Sequence, residues 1–239
     1  MSEFVLAGPA GGIACRFVRL FVYVVVHDSG FAPNPFFGYC TLATCKPRIR
    51  RSAAVGDWIA GIGSAQRGRE GRLMYAMRVG EVLCFDEYWH DERFVQKRPS
   101  RSGRREQRCG DNVYHRDPRT REWIQEPCFH SCDDGTPDRF HVRCDTGSPR
   151  ALVATEFAYF GTAAIDIPQR FRSWTGSDYF CSVRDYRCNF PEDLLTEFIA
   201  WLRDLTAEPG RRAGDPLDWS KPSPGCAATP RGRPATRRC

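Results

Sequence analysis

The sequence predicts an α+β domain: a strongly bent mixed sheet, or a small PUA-like β-barrel, with a C-terminal helix packed on it. Three observations predict this. Residues 16–27 are a continuous, valine-rich apolar run, the pattern of a central strand covered on both faces. Val55-Gly56-Asp57 is a turn signal that launches the apolar segments Trp58–Ile62 and Leu73–Leu83, which pair as a long-tipped hairpin. Leu194, Leu195, Phe198, Ile199, Leu202 and Leu205 recur at helical spacing behind Pro191, Glu192 and Asp193, which favour a helix start.

The intervening elements follow in order. The first strand ends at Asp28-Ser29-Gly30, and Pro33 and Pro35 then impose a rigid loop between Phe31 and Phe36. Cys40–Lys46 fits a short strand or a helical turn. Phe85–Phe94 fits a short helix, and 97–108 a basic polar loop. Asp133–Asp138 is a turn cluster, and Ala151–Phe160 another strand. Residues 1–15 and the Pro/Arg-rich stretch 206–239 cannot bury enough apolar surface to order themselves. The expected organisation is one domain over 16–205 between two disordered segments.

With 41% hydrophobic and 13% aromatic residues the chain can fill a core, which excludes wholesale disorder. No run approaches the roughly 18 apolar residues of a membrane helix, and the start lacks the basic region of a secretory signal. A soluble, cytoplasmic protein with no membrane partner is expected. The 12 cysteines form no regular framework, so most are read as free thiols. Net charge is +6 and uneven: residues 46–108 carry +7, residues 109–205 carry −5 and the stretch from Thr206 carries +4. A basic middle suits phosphate backbones.

Asp28 through Phe36, Cys40-Thr41-Leu42-Ala43-Thr44-Cys45-Lys46-Pro47 with Ile49-Arg50-Arg51, Gly56-Asp57-Trp58-Ile59, and Gly110 through His115 together resemble the nucleotide-modification-associated domain family, second class, over about residues 18–205. The resemblance implies association with DNA base-modification or mobile-element systems, mostly bacterial, and carries no assigned catalytic residues. Val55–Val82 more weakly resembles the core hairpin of PUA-type barrels, including the EVE and ASCH groups, which implies a reader of modified bases.

The residues themselves predict a nucleobase, nucleotide or nucleic-acid binding module rather than an enzyme, with a site of mixed aromatic and basic character. Phe36, Trp58 and Trp89 are candidates to stack a base, an interaction of roughly 1–3 kcal/mol. Asn34, Thr41, Ser64, Asp111 and Asn112 are candidates to read its edge, and Lys46, Arg50 and Arg51 to hold phosphate. No cofactor is implied, and oligomeric state is left open. An alternative is base- or nucleotide-modifying catalysis by Cys45 or Asp111 with His115; a further one is a protein-interaction accessory of a mobile genetic system. Cys128, Cys132, His141 and Cys144 form a loose zinc-like set, with His130 as a fifth option.

Overall fold

A computed structural model describes residues 17–220 apart from 182 and 184; the expected flexible segment 1–15 and residues 221–239 lie outside the described residues. The strands are β1 Leu20–Val25, β2 Cys40–Leu42, β3 Trp58–Gly63, β4 Arg72–Arg78, β5 Glu81–Cys84, β6 Tyr114–Arg116, β7 Trp123–Gln125, β8 Arg150–Ala154, β9 Phe157–Tyr159, β10 Ile165–Asp166 and β11 Arg211–Arg212. The helices are α1 Pro47–Ser52, α2 Phe85–His90, α3 Arg105–Arg108, α4 Arg139–Thr146, α5 Gln169–Arg172 and α6 Glu192–Leu205.

One sheet runs β1-β3-β4-β9-β11, with β10 pairing β4; a second runs β2-β8-β5. The chain passes between them four times, twice across short breaks. The expected second hairpin strand, Leu73–Leu83, breaks at Val79-Gly80 into β4 and β5, and the expected strand 151–160 breaks at Thr155-Glu156 into β8 and β9. These breaks bend the sheet, which stays open rather than closing into a barrel. The hairpin itself forms, with β3 and β4 antiparallel and Ile59 opposite Met77.

The first strand differs from expectation in one respect. It lies at the end of the sheet path, parallel to β3, rather than at its centre. Both its faces are nonetheless covered. Leu20 and Val22 face the cluster containing Trp58, Phe198 and Leu202, while Phe21, Tyr23 and Val25 face the one containing Leu42, Ile49 and Leu152. Its outer edge is partly closed by Val22, which exchanges backbone hydrogen bonds with Arg187. Period-two alternation therefore separates two cores, one under α6 and one between the sheets.

The Gly-Asp turn is a structural clamp. Gly56 takes φ 91, and the buried Asp57 carboxylate accepts from the backbone N–H of Arg19 and Ala54 and from the Arg19 guanidinium. The helix α6 follows the apolar spacing, its Phe198 stacking on Phe180 at 4.3 Å and meeting Phe171 edge-on at 5.2 Å.

Ordered structure also continues past the expected boundary at Leu205. Arg211–Arg212 pair in parallel with Ala158–Tyr159. Asp28 accepts from the backbone N–H of Leu217, and its own N–H donates to Asp218. The Trp219 indole stacks on Phe36 at 5.4 Å and donates to Ser29 O. Low apolar content did not prevent order, because an existing sheet edge and a buried carboxylate supply the partners. Phe198→Ala is expected to cost about 3–5 kcal/mol in chemical denaturation, the range for a large buried aromatic. Ending the chain at Leu205 should lower the melting temperature, and an unchanged value would show that the 206–219 contacts contribute nothing.

Candidate functional site

Where β2 leads into α1, Cys45 and Lys46 both take left-handed backbone conformations, φ 56 and 41. Non-glycine residues adopt these at a cost, and they concentrate at functional sites. Pro47 then opens α1. This reversal leaves Cys45 half-buried with its Sγ 3.3 Å from His130 Nε2. The other ring nitrogen, Nδ1, lies 2.9 Å from Asp145 Oδ2. Side-chain exposure is 13% at His130 and 2% at Asp145. A partly open sulfur, an imidazole and a buried carboxylate thus stand in line.

Four elements hold the line. Asp145 Oδ1 accepts from the Cys45 N–H at 2.8 Å and from Arg50 at 3.2 Å, and Oδ2 accepts from the Tyr114 hydroxyl at 3.0 Å. The Arg50 guanidinium, fully buried, also donates to the carbonyls of Cys45, Asp145, Ser148 and Arg150. Gln125 donates to the Tyr114 hydroxyl and accepts from the N–H of Asp138, which caps α4 through Phe140 and His141. On α4, His141 and Asp145 share one face at i, i+4 spacing. His141 stacks on His130 at 4.0 Å, and Phe31 meets it edge-on at 4.9 Å.

Burial opposes the imidazolium, but hydrogen bonds to Asp145 and Cys45, with Coulombic attraction from both, raise His130 to about 10. Burial likewise opposes the Asp145 charge, yet His130, Arg50 and Tyr114 hold it below the usual carboxylate range. At neutral pH His130 carries the proton that faces the sulfur. An imidazolium beside a cysteine is the arrangement that favours sulfur as a nucleophile.

The sequence reading pointed to Cys45 but paired it with His115. That histidine instead lies 3.0 Å from Glu126 and stacks on Trp89 at 4.0 Å, with Arg98 4.1 Å from the Trp89 ring centroid. His130 and Asp145 were missed as partners. The available signal was the Asp138 cap followed by His141 and Asp145, but Arg139–Thr146 has too few apolar residues to read as a helix. The zinc-like set is not assembled. Cys144 is disulfide-bonded, His141 stacks on His130, and among the described residues no group of three or more His, Cys, Asp or Glu could hold a metal ion.

Four expected edge-reading residues do converge, but on one another. Thr41 donates to Asp111 at 2.7 Å, Tyr88 donates to Asp111 at 2.8 Å, and Asn34 donates to Cys109 O at 2.8 Å. Asn112 donates to Tyr88 O. Lys97, unforeseen and fully buried, donates to Asn34 Oδ1, Asn34 O, Tyr39 O and Thr41 Oγ1. Burial lowers Lys97 to about 8, partly offset by Asp111. Asn34, Thr41, Asp111 and Asn112 are each no more than 1% exposed, so this network has no open edge for a base. Asp111 also has no histidine in it.

The remaining expected positions disperse. Trp58 is fully buried under α6, on the sheet face opposite Tyr23, so neither side of its ring is open to stacking. Arg50 is consumed by Asp145, and Arg51 donates to Gly147 O. Lys46 Nζ lies 4.5 Å from the Tyr23 ring centroid. Ser64 lines a hollow of about 240 Å³ with Val24, Ile62 and Phe180, a lining that does not include Cys45. Phe36 is buried beneath Trp219.

Two outcomes test the geometry. Arg50→Met leaves Asp145 with His130 as its one cationic partner and strips four carbonyls of the Arg50 guanidinium, and should cost about 3–5 kcal/mol by urea unfolding. Because His130 is raised from 6.5 to about 10, its protonation stabilises the folded chain fully below pH 6.5, and this contribution fades as pH climbs through 10. The stability gap between wild type and His130→Gln should therefore narrow from pH 6.5 to pH 10; a constant gap would contradict the assigned pair.

Among the described residues no helix is long and apolar enough to cross a membrane. No match was found among curated proteins or among solved structures, so the likeness to PUA-type barrels gains no support. The family model described as nucleotide modification associated domain 2 matches residues 17–223, most of the chain. This protein belongs to the nucleotide modification associated domain 2 family.

Proposed function

We propose that this chain is a cysteine-dependent group-transfer or hydrolytic enzyme of nucleotide modification, acting at an electrophilic carbon of a base or of an acyl group carried on one. The observation that supports the reading is the line Cys45–His130–Asp145, with spacings of 3.3 and 2.9 Å. The family supplies the nucleotide context, and the line supplies the chemistry.

In this reading the Cys45 sulfur attacks the carbon and the displaced electron pair moves onto the carbonyl oxygen or the imine nitrogen. Collapse of the adduct expels the leaving group, which takes its proton from His130. The neutral imidazole then draws a proton from water, the water oxygen attacks the carbon of the thioester or thioimidate, and the sulfur departs to regenerate the enzyme. Asp145 fixes the ring orientation and stabilises its charged form, the role a buried carboxylate plays in such lines on unrelated folds. Tyr114 and Arg50 act through Asp145 and are positioning residues.

The thiol's reactivity can be measured without knowing the substrate. Iodoacetamide labelling followed by peptide mass analysis should modify Cys45 faster than Cys132, although Cys132 is the more exposed. His130→Ala should slow Cys45 at least about tenfold while leaving Cys132 unchanged. Incubation with nucleotides and oligonucleotides should leave a mass adduct on Cys45, absent in Cys45→Ala. Labelling at Cys45 no faster than at Cys132, with no adduct, would overturn the reading.

A further inference from the structure

A second surface, separate from the cysteine, carries fixed positive charge. The guanidinium of Arg105 lies 4.7 Å from the Trp219 ring centroid and donates to Trp219 O at 2.5 Å. Trp219 stacks on Phe36 with the planes 16° apart, and Arg212 lies 5.4 Å from the Phe36 ring centroid on this same ladder. Guanidinium, indole, phenyl and guanidinium therefore form one packed series. Arg104 and Arg108 flank Arg105 on and beside the one-turn helix α3 and are exposed. Arg212 is balanced by Glu106 at 3.9 Å and Asp215 at 3.6 Å. Among the described residues Arg104, Arg105 and Arg108 form no ion pair, so the patch keeps a positive excess. Beside it Phe37, partly exposed and held at φ 58, meets Phe36 edge-on at 6.3 Å.

We infer that this surface docks a nucleic-acid strand, with Arg104, Arg105, Arg108 and Arg212 on its phosphates and Phe37 beneath a base. Three features favour that partner over an acidic protein or a lipid surface. Guanidinium forks match phosphate oxygens bidentately. An arginine cluster with an accessible aromatic ring is the combination that binds single strands, by charge along the backbone and by stacking on bases. The third is position. Phe36 supports the basic ladder, while Phe31, five residues earlier in the same loop, packs against His130. Five residues span at most about 17 Å of extended chain, so a strand gripped at the ladder lies within a few nucleotides of Cys45. The inference thus rests on the thiol reading for what the strand is brought to do, and specifies the substrate as a polynucleotide rather than a free nucleotide.

The test is fluorescence anisotropy of the full chain with a labelled 20-nucleotide single strand, a mononucleotide, polyglutamate and anionic phosphatidylserine vesicles. The strand should bind with affinity that falls as salt rises, at a log–log slope of about −3 if four phosphates are neutralised. Arg104→Gln, Arg105→Gln and Arg108→Gln together should weaken it about 100-fold and flatten the slope toward −1. Phe37→Ala should weaken it with the slope unchanged. Iodoacetamide reactivity at Cys45, retained in the triple variant, reports that the variant is folded. The inference is overturned by undiminished binding in the triple variant, by no strand binding at low salt, or by polyglutamate or vesicles binding as tightly as the strand. A wild-type chain that binds no strand while its Cys45 stays reactive removes this inference alone; a wild-type chain that binds the strand with a sluggish Cys45 removes the thiol reading alone.

Discussion

The site depends on a single buried carboxylate. Asp145 lies almost entirely out of water, where an unpaired charge would cost several kcal/mol. Each oxygen has two partners: Cys45 N–H and Arg50 on one, Tyr114 and His130 on the other. Those partners come from the β2–α1 turn, from α1, from β6 and from the loop before α4. Satisfying one charge therefore fixes the relative positions of four separate stretches of chain. Cys45 meets His130 because both are bound to the same acid.

The second buried polar centre has the opposite character. Around Lys97 and Asp111 the donors and acceptors are turned inward, and burial pushes both groups toward their neutral forms. Nothing there is half-open, and it ties the 34–41 loop to the segment around 109–112. The contrast with the cysteine line is one of exposure more than composition. Both clusters contain acids, hydroxyls and cysteines, but only one leaves a nucleophile and an imidazole at the surface.

The bent sheet explains how these centres share one small fold. Because β4 runs into β5 and β8 into β9 across short breaks, the chain changes sheet without a long connection. The face of β1 bearing Tyr23 then looks toward β2 and α1, which carry Cys45 and Lys46 at their junction. The face bearing Leu20 and Val22 goes under α6 together with Trp58. The alternation of side chains between the two faces thus separates a tryptophan that can only be core from a tyrosine lying beneath the site.

The sequence by itself determined the class of fold, the two-faced first strand, the Gly-Asp turn with its hairpin, α6, and the family, because these are written in local periodicity, in turn chemistry and in short motifs. It also named Cys45 beside Asp111 as an alternative catalytic residue, and it grouped Asn34, Thr41, Asp111 and Asn112 with Ser64. It could not say that those four satisfy one another, that Trp58 is covered on both sides, that Arg50 faces inward to a carboxylate, or that chain beyond Leu205 completes the sheet edge. Partnership between Cys45, His130 and Asp145 spans one hundred residues, and no local pattern encodes a contact at that separation. Only packing decided it: the burial of a charge had to be offset by groups from wherever the folded chain could bring them.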